Sequence, residues 1–333
     1  MTSQRIQIFV ASLCLFALGA QGWASGHAAG SPCPAQPAIS GDLAAGKYAE
    51  AVSVLQQQVS RNPRDAQATL WLARSFLDLG QNDQAVTFAE RAVSLSPDCS
   101  ESHFWLARSY GLKADKERSF WLARKTRQEY ETAVQLDPDN LAARRDLMEF
   151  YLQAPWILGG SKEKAWDQIK AIASRNAAEG DLARAIYWRD LNEPSLAAKE
   201  YRKVMESKPA HAEAYFQVAD FYEADRKPEE VEAAVRAASR IVPRDPRLDY
   251  YEAVANAMKG QALVKAERDL KTYLLKAPPR DDFPPHASAH DWLGHIYELR
   301  GETRQAVEQY RFALRLSPDN RTAHDALLRL DAN

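Results

Sequence analysis

Three histidines near the C terminus have the residue type and spacing that metal sites use. His286 and His290 are four residues apart, so both side chains share one face of a helix, and Asp291 and His295 follow closely. Imidazole nitrogens and carboxylate oxygens are zinc ligands. The region of His286, His290 and His295 therefore defines a metal-binding hypothesis, which requires the three side chains to converge.

A second stretch, Gly159-Gly160-Ser161-Lys162, has the composition of a phosphate-binding loop. It lacks the spacing of the GxxxxGK[ST] motif and no strand-like run precedes it. The sequence also contains no GxGxxG, HExxH or GxSxG motif. We therefore predict a protein that is not an enzyme, with no catalytic residues and no cofactor.

The composition is that of a folded protein without a nucleic-acid-binding surface. The chain has 333 residues, of which 46% are hydrophobic and 26% are charged. Its formal net charge is -2 and its pI is about 6.4. Nucleic-acid binding needs a basic stripe, so we do not expect nucleic acid as the main partner.

The first 24 residues predict a cleavable secretory signal peptide. Arg5 precedes the apolar run Ile6–Ala20, and small residues stand at positions −3 and −1 of a cut after Ala24. The run is short for a membrane span, and retention as an uncleaved anchor is the alternative. Residues 25–41 are rich in Gly, Ala, Ser and Pro and predict a flexible leader. We expect a periplasmic or secreted protein without a membrane span after cleavage.

Two cysteines, Cys33 and Cys99, remain after that cut. Export permits a disulfide, and an even count suits one. However, Cys33 precedes the helical region and Cys99 lies well inside it. The sequence leaves open whether the two form a bridge or are separate thiols.

Hydrophobic spacing predicts a helical hairpin near the C terminus, bounded by Gly301 and a closing proline. Small and aromatic residues recur at the spacing of one helical face in both halves. These positions are Leu293, Gly294 and Tyr297 in the first helix and Ala306, Tyr310 and Ala313 in the second, followed by Pro318.

Closing prolines recur along most of the chain at intervals of 34, 41, 71, 34, 35 and 40 residues. They are Pro63, Pro97, Pro138, Pro209, Pro243, Pro278 and Pro318. The leucine–small–aromatic first helix, the alanine-rich second helix and the 34-residue period resemble the tetratricopeptide repeat. The resemblance covers residues 42–333 and implies an all-α fold, a right-handed α-solenoid of about eight helix-turn-helix units with a C-terminal capping helix.

The implied units occupy residues 42–65, 66–99, 100–140, 141–177, 178–211, 212–245, 246–280 and 286–320, with the capping helix at 321–331. Extra residues occur at three places, one of which is the proline-rich segment Pro278–Pro285 before the last unit. The other two insertions lie within units. The first insertion, Lys113–Lys125, has no Gly or Pro, so we expect it to lengthen the second helix of its unit. The second, Gln153–Ser161, resembles an Ala-Pro…Gly-Gly insertion of a bacterial exported tetratricopeptide subfamily.

The resemblance also assigns directions to the histidines. His290 occupies a packing position where tetratricopeptide repeats often place tryptophan, facing the paired helix, whereas His295 points to the inner groove. The histidines then diverge, which favours packing over metal binding.

In tetratricopeptide proteins the first helices line an inner groove that grips extended peptides or partner helices. Carried over to this chain, the early groove combines arginine with apolar residues and the late groove is acidic. The candidate residues are Leu70, Arg74, Phe104, Arg108 and Arg145 early, and Asp220, Glu223, His295 and Glu298 late. Because arginine binds carboxylates bidentately, we hypothesise that the early groove grips an acidic or C-terminal segment; a solvated face with scattered charges is the alternative.

Tryptophans have two predicted roles. Trp156 stands on the Pro/Gly-flanked second insertion, where it is either an anchor for a partner or tucked against the solenoid. The other tryptophans stand at helical spacings beside core positions, and we predict that they are packing residues. They are Trp71, Trp105, Trp121, Trp166, Trp188 and Trp292.

The sequence thus predicts a non-catalytic scaffold or adaptor in the bacterial periplasm. An accessory subunit of an envelope enzyme or of a secretion or polysaccharide assembly complex is the alternative, as is metal binding through the histidines. Self-association through terminal repeats is a further alternative.

Overall fold

A computed structural model describes residue 33, residues 48–277 and residues 283–331 of the chain. The predicted signal peptide, most of the predicted leader and part of the segment 278–285 lie outside the described residues. Within the described part, every regular element is helical, and no helix is both long and apolar enough to cross a membrane.

The chain divides into two compact units, Met1–Glu200 and Tyr201–Asn333. The first contains α1 Tyr48–Arg61, α2 Ala66–Asp78, α3 Asn82–Leu95, α4 Ser100–Glu117, α5 Phe120–Leu136, α6 Leu141–Gln153, a 3₁₀ turn Trp156–Leu158, α7 Lys162–Arg175 and α8 Ala177–Asp190. The division falls within α9 Pro194–Ser207. The second contains α10 Ala212–Ala224, α11 Pro228–Ser239, α12 Pro246–Met258, α13 Leu263–Lys276, α14 His286–Leu299, α15 Thr303–Leu316 and α16 Arg321–Asp331.

Within each unit, helices that follow one another in the chain pack against one another. In addition, alternate helices touch: α2 contacts α4, α6 contacts α8, α10 contacts α12, and α12 contacts α14. The even-numbered helices therefore form an inner layer, and the odd-numbered helices cover it. The sixteen described α-helices pack in consecutive pairs, which confirms the predicted all-α solenoid class.

Small residues set the distance between paired helices. In the pair α14–α15, Ala306 and Ala313 are fully buried and Tyr310 is almost so. A Cβ atom on Gly294 would lie 2.7 Å from the Tyr310 ring. Gly294 is therefore required by the close approach that the leucine–small–aromatic pattern predicts.

The first insertion extends two helices rather than one. Helix α4 has 18 residues and α5 has 17, and the break falls at Arg118, whose φ is 52°. Ser119 then accepts a hydrogen bond from the Leu122 backbone N–H and starts α5. The second helix is long, as expected, and the first helix is long as well, because the capping Ser119 starts α5 without glycine or proline.

A disulfide joins Cys33 to Cys99, with their Cα atoms 4.6 Å apart. Cys99 is fully buried immediately before α4. The alternative of two separate thiols is therefore not realised: the residue that precedes the helical region returns to the turn after α3.

Candidate partner-binding surfaces

The predicted early groove residues lie on the inner layer of the first unit, but they expose little surface. Leu70 is 5% exposed and Phe104 is 2% exposed. Phe104 packs against Trp105 and Tyr130, with ring centroids 5.3 and 6.2 Å away. Leu70 and Phe104 are thus core residues and are not accessible to a partner.

The three early arginines are held by side chains of the inner layer. Arg74 lies 4.8 Å from the Trp71 ring and 4.7 Å from the Trp105 ring, and its Nε is 3.9 Å from Asp78. Its guanidinium therefore lies between two indoles, a cation–π arrangement.

Arg108 and Arg145 each reach a carboxylate on the next inner helix. The Arg108 Nε lies 3.6 Å from Asp146 Oδ2, and the Arg145 Nη1 lies 3.5 Å from Glu179 Oε2. Arg108 is 2% exposed and Arg145 is 4% exposed. Breaking such a buried pair is costly, so neither cation is available to a partner in this structure. Sequence analysis missed Asp146 and Glu179, whose only signal is their position about one repeat after each arginine.

The late groove residues, in the second unit, form a hydrogen-bonded cluster around Glu223. The Glu223 carboxylate accepts hydrogen bonds from the Tyr250 hydroxyl at 2.8 Å and from the Trp292 Nε1 at 2.7 Å. Burial raises the pKa of Glu223 to about 7, against the effect of these two donors. Asp220 is exposed and accepts a hydrogen bond from the Tyr251 hydroxyl.

Two further predicted residues flank this cluster. His295 packs edge-on against Trp292 at 5.7 Å, and burial lowers the pKa of its imidazole. Glu298 accepts hydrogen bonds from the Tyr310 hydroxyl and from the Arg329 Nη2, the latter at 3.1 Å. The Arg226 guanidinium lies over the same Trp292 ring, 4.7 Å from its centroid. Asp220, Glu223, His295 and Glu298 therefore lie on α10 and α14, which both contact α12.

The three histidines have separate partners. His286 Nε2 lies 3.1 Å from the Ala277 carbonyl oxygen, and His290 Nδ1 lies 2.8 Å from Gln309 Oε1. His290 also stacks on Phe312 of the paired helix, as predicted for a packing residue. Among the residues that the structure describes, no group of three or more His, Cys, Asp or Glu side chains is arranged to hold a metal ion.

Comparison with known proteins identifies the repeats. Residues 42–110 and residues 287–320 match two family models of the tetratricopeptide repeat. Both of these parts of the chain are therefore tetratricopeptide repeats. No curated protein sequence matches the chain.

Two solved structures share the fold of this chain. One is the APC/C hetero-tetramer Cut9–Hcn1, with a TM-score of 0.56 and 12% identity over 85% of this chain. The other is yeast Tom70, with a TM-score of 0.54 and 14% identity over 89% of this chain. The chain spans about half of the former protein (52%) and 61% of the latter.

The Trp156 side chain does not pack against the neighbouring helices but is open to solvent. This side chain is 84% exposed, and that of the neighbouring Ile157 is 66% exposed, whereas Leu158 is buried. Trp121, predicted as a packing residue, lies in the first turn of α5 and is 63% exposed, so that prediction was wrong. Lys125 Nζ lies 4.1 Å over its ring. The two insertions thus present aromatic side chains to solvent.

Glu149 is a buried acid in the inner layer of the first unit. It is 2% exposed, and its Oε1 accepts no hydrogen bond from any residue that the structure describes. Burial raises its pKa from 4.5 to about 8, and repulsion from Asp146 and Asp190 adds to the effect. A carboxyl whose pKa is raised by folding stabilises the fold fully below pH 4.5, and this contribution is lost as pH rises through about 8.

We expect Glu149→Gln to stabilise the protein by about 2 kcal/mol at pH 8.5. The amide carries no charge, so the loss of stability between pH 5.5 and pH 8.5 should be smaller in the variant. Urea unfolding at the two pH values measures the difference. The matched control is Glu308→Gln, which replaces an exposed glutamate. Its free energy of unfolding is measured at the same two pH values. An equal effect of Glu149→Gln at both pH values would contradict the burial argument.

Proposed function

We propose that this protein is a non-catalytic adaptor exported to the bacterial periplasm, where a segment of a partner protein binds along the inner layer of the second unit. Tetratricopeptide repeats are generally protein-binding scaffolds, and the repeat matches at residues 42–110 and 287–320 support this class. The observation that carries the choice of surface is the preorganised carboxylate cluster around Glu223.

The location of this surface follows from a comparison of the two inner layers. In the first unit, Arg108 and Arg145 are buried and paired. In the second, Asp220 is exposed and Glu223 and Glu298 are partly accessible, although Glu298 also pairs with the exposed Arg329. The hydroxyls of Tyr251, Tyr250 and Tyr310 hold these three carboxylates in place. An accessible row of oriented carboxylates suits basic side chains of a partner.

Arg226 indicates how such a side chain would be received. Its guanidinium lies 4.7 Å over the Trp292 ring, whose indole N–H donates to Glu223. An aromatic face beside a carboxylate is a favourable position for a guanidinium or ammonium group. We therefore propose a partner segment with Arg or Lys side chains, which replaces the hypothesis of an acidic segment in the early groove.

Export rests on the pattern of Arg5, the apolar run Ile6–Ala20 and the small residues before Ser25. The Cys33–Cys99 disulfide supports it independently, because such bonds persist in oxidising compartments such as the periplasm. A role as an accessory subunit of an envelope complex is compatible with the same surface. Metal binding is not proposed, since His286 and His290 have separate partners.

Site-specific photocrosslinking in the native host tests the proposal. With p-benzoylphenylalanine in place of Asp220 or Glu298, we expect a crosslinked partner protein in the osmotic-shock fraction. The matched control replaces Val264, which is 72% exposed on a covering helix. The measured mass of the recovered protein should correspond to a chain that begins at Ser25.

Three outcomes would contradict the proposal. If the Val264 variant gave as much crosslinked product as the Asp220 and Glu298 variants, the inner layer would not be the binding surface. Adducts found only with the unprocessed chain in the cytoplasm would remove export. No adduct from either inner position, with the Val264 variant equally silent, would remove partner binding at this surface.

A further inference from the structure

The two insertions of the first unit meet and form an apolar pocket. Its lining comes from the end of α4, the start of α5, the end of α6 and the loop that follows α6. The apolar lining residues include Ala114, Phe120, Ala123, Phe150 and Leu158. The pocket is partly open to solvent. A regular 34-residue repeat lacks the extra residues that build these walls.

The loop side of the pocket is rigidly held. The Ser161 N–H donates to the Tyr151 carbonyl at 2.8 Å, and the Gly160 N–H donates to the Pro155 carbonyl at 3.2 Å. A Cβ on Gly160 would lie 1.8 Å from the Ala154 carbonyl oxygen, so the loop closes only with glycine at this position. Arg127 of α5 packs against Gly159 on the outer side of the loop. The pocket is therefore preformed, which reduces the entropic cost of binding.

The rim of the pocket is basic. Residues 113–127 contain six Lys or Arg side chains and two acidic ones. Lys113 and Arg127 form ion pairs, with Asp83 and Glu131. In contrast, no residue that the structure describes forms an ion pair or side-chain hydrogen bond with the exposed Lys116, Arg118 and Arg124. Arg118 is itself part of the lining, together with Asp115.

One lining residue, Gln153, has a buried acceptor atom without a hydrogen-bond donor. Gln153 donates through its Nε2 to Asp190 Oδ2 at 3.3 Å. Its Oε1 is buried and accepts no hydrogen bond from the residues that the structure describes. A buried amide oxygen without a partner is unfavourable, and an indole N–H or a phenol O–H that enters the pocket would supply the donor.

From these observations we propose that the pocket binds a tryptophan or tyrosine side chain of an acidic segment of a partner protein. The aromatic ring fills the apolar walls, and its N–H or O–H donates to Gln153. The neighbouring carboxylates of the segment pair with Lys116, Arg118 and Arg124. The exposed Trp121 and Trp156 follow the lining residues Phe120 and Pro155 in the chain. The inference rests on the proposed function as a protein-binding scaffold, but it uses a different surface.

Fluorescein-labelled heptapeptides test this site on the full chain. In the probe, a central tryptophan has three glutamates on each side; the matched peptides carry a central phenylalanine or serine, or three lysines on each side. By fluorescence anisotropy, we expect affinity to fall roughly tenfold from tryptophan to serine and severalfold from tryptophan to phenylalanine. We expect the lysine-flanked peptide to bind about tenfold more weakly at low salt, with a difference that shrinks as salt rises.

Variants of the protein locate the binding. Ala123→Met fills the pocket and should weaken binding of the tryptophan–glutamate peptide roughly tenfold. Arg118→Gln should weaken it about threefold, and Phe120→Ser, at a side chain that is 49% exposed, provides a second pocket variant if Ala123→Met does not fold. Leu275→Ser is the control, because Leu275 is 87% exposed and lies in the second unit.

Equal affinities for glutamate- and lysine-flanked peptides, or wild-type affinity in both pocket variants, would overturn the proposal. Concentration-dependent self-association that Ala123→Met abolishes would also overturn it, since a second copy of the chain would then be the occupant. Crosslinking at Asp220 and Glu298 reports on the inner layer of the second unit alone, so failure of the proposed function there is distinguishable from failure of this pocket.

Discussion

The variant Cys33→Ser is expected to unfold with a free energy about 4 kcal/mol lower than that of the oxidised wild-type protein. The disulfide joins residues 66 positions apart and encloses α1, α2 and α3 in one covalent loop. Closing a loop of that length restricts the unfolded chain strongly. Chemical denaturation with and without reductant measures the effect.

Reductant supplies the control for the disulfide prediction. Dithiothreitol should lower the stability of the wild-type protein to that of Cys33→Ser and should leave the variant unchanged. Cys33 is the better residue to replace, since it is half-buried whereas Cys99 is fully buried at the start of α4. A wild-type protein that is indifferent to reductant would contradict the bridge.

The variant Gly180→Ala is expected to destabilise the first unit by about 2–3 kcal/mol. A Cβ atom at this position of α8 would lie 2.5 Å from the Ala173 Cβ and 2.6 Å from the Ala173 Cα of α7. Because the nearest atoms include backbone, the two helices must move apart and lose contacts. At an exposed helical site the same change stabilises by about 1 kcal/mol, so the sign of the effect is diagnostic.

A double-mutant cycle isolates this contact. Ala173→Gly removes the Cβ that faces Gly180, so the double variant Gly180→Ala, Ala173→Gly should recover part of the lost stability. Recovery should be incomplete, because the Ala173 Cα remains close. Thermal unfolding of the four proteins gives the coupling energy. A stabilised Gly180→Ala would show that the helix pair is less closely packed than described.

These two sites have the same structural consequence for binding. The disulfide fixes the start of α4, and the contact at Gly180 fixes α7 against α8. Both lie in the unit that contains the insertion pocket. A pocket built from four separate segments keeps its shape only if the helices that carry those segments are held in register.

Much of the fold follows from the sequence alone. The spacing of Leu293, Gly294 and Tyr297 with Ala306, Tyr310 and Ala313 predicts the pair α14–α15, and all six residues are buried there. Such prediction works because the apolar stripe of a helix is set by residues three or four positions apart. The places where the repeat period is broken were also visible as the two insertions.

The predicted groove shows where sequence information ended. The resemblance to the tetratricopeptide repeat placed Phe104, Arg108 and Arg145 on the inner layer, but it did not indicate that Asp146 and Glu179 would meet these arginines. Those carboxylates lie about one repeat later in the chain. Their distance from the arginines is set by how one repeat stacks on the next, and no local spacing encodes it.

The same limit applies to the aromatic residues and the cysteines. Helical spacing made Trp121 a packing residue, yet the tertiary structure leaves it 63% exposed. The bond between Cys33 and Cys99 joins residues 66 positions apart, which no local spacing indicates. The sequence alone therefore determined which residues form helices and which faces are apolar, since these are local properties of the chain. Only the tertiary structure decided which polar groups are paired and which aromatic groups remain open, because that depends on packing between residues far apart in sequence.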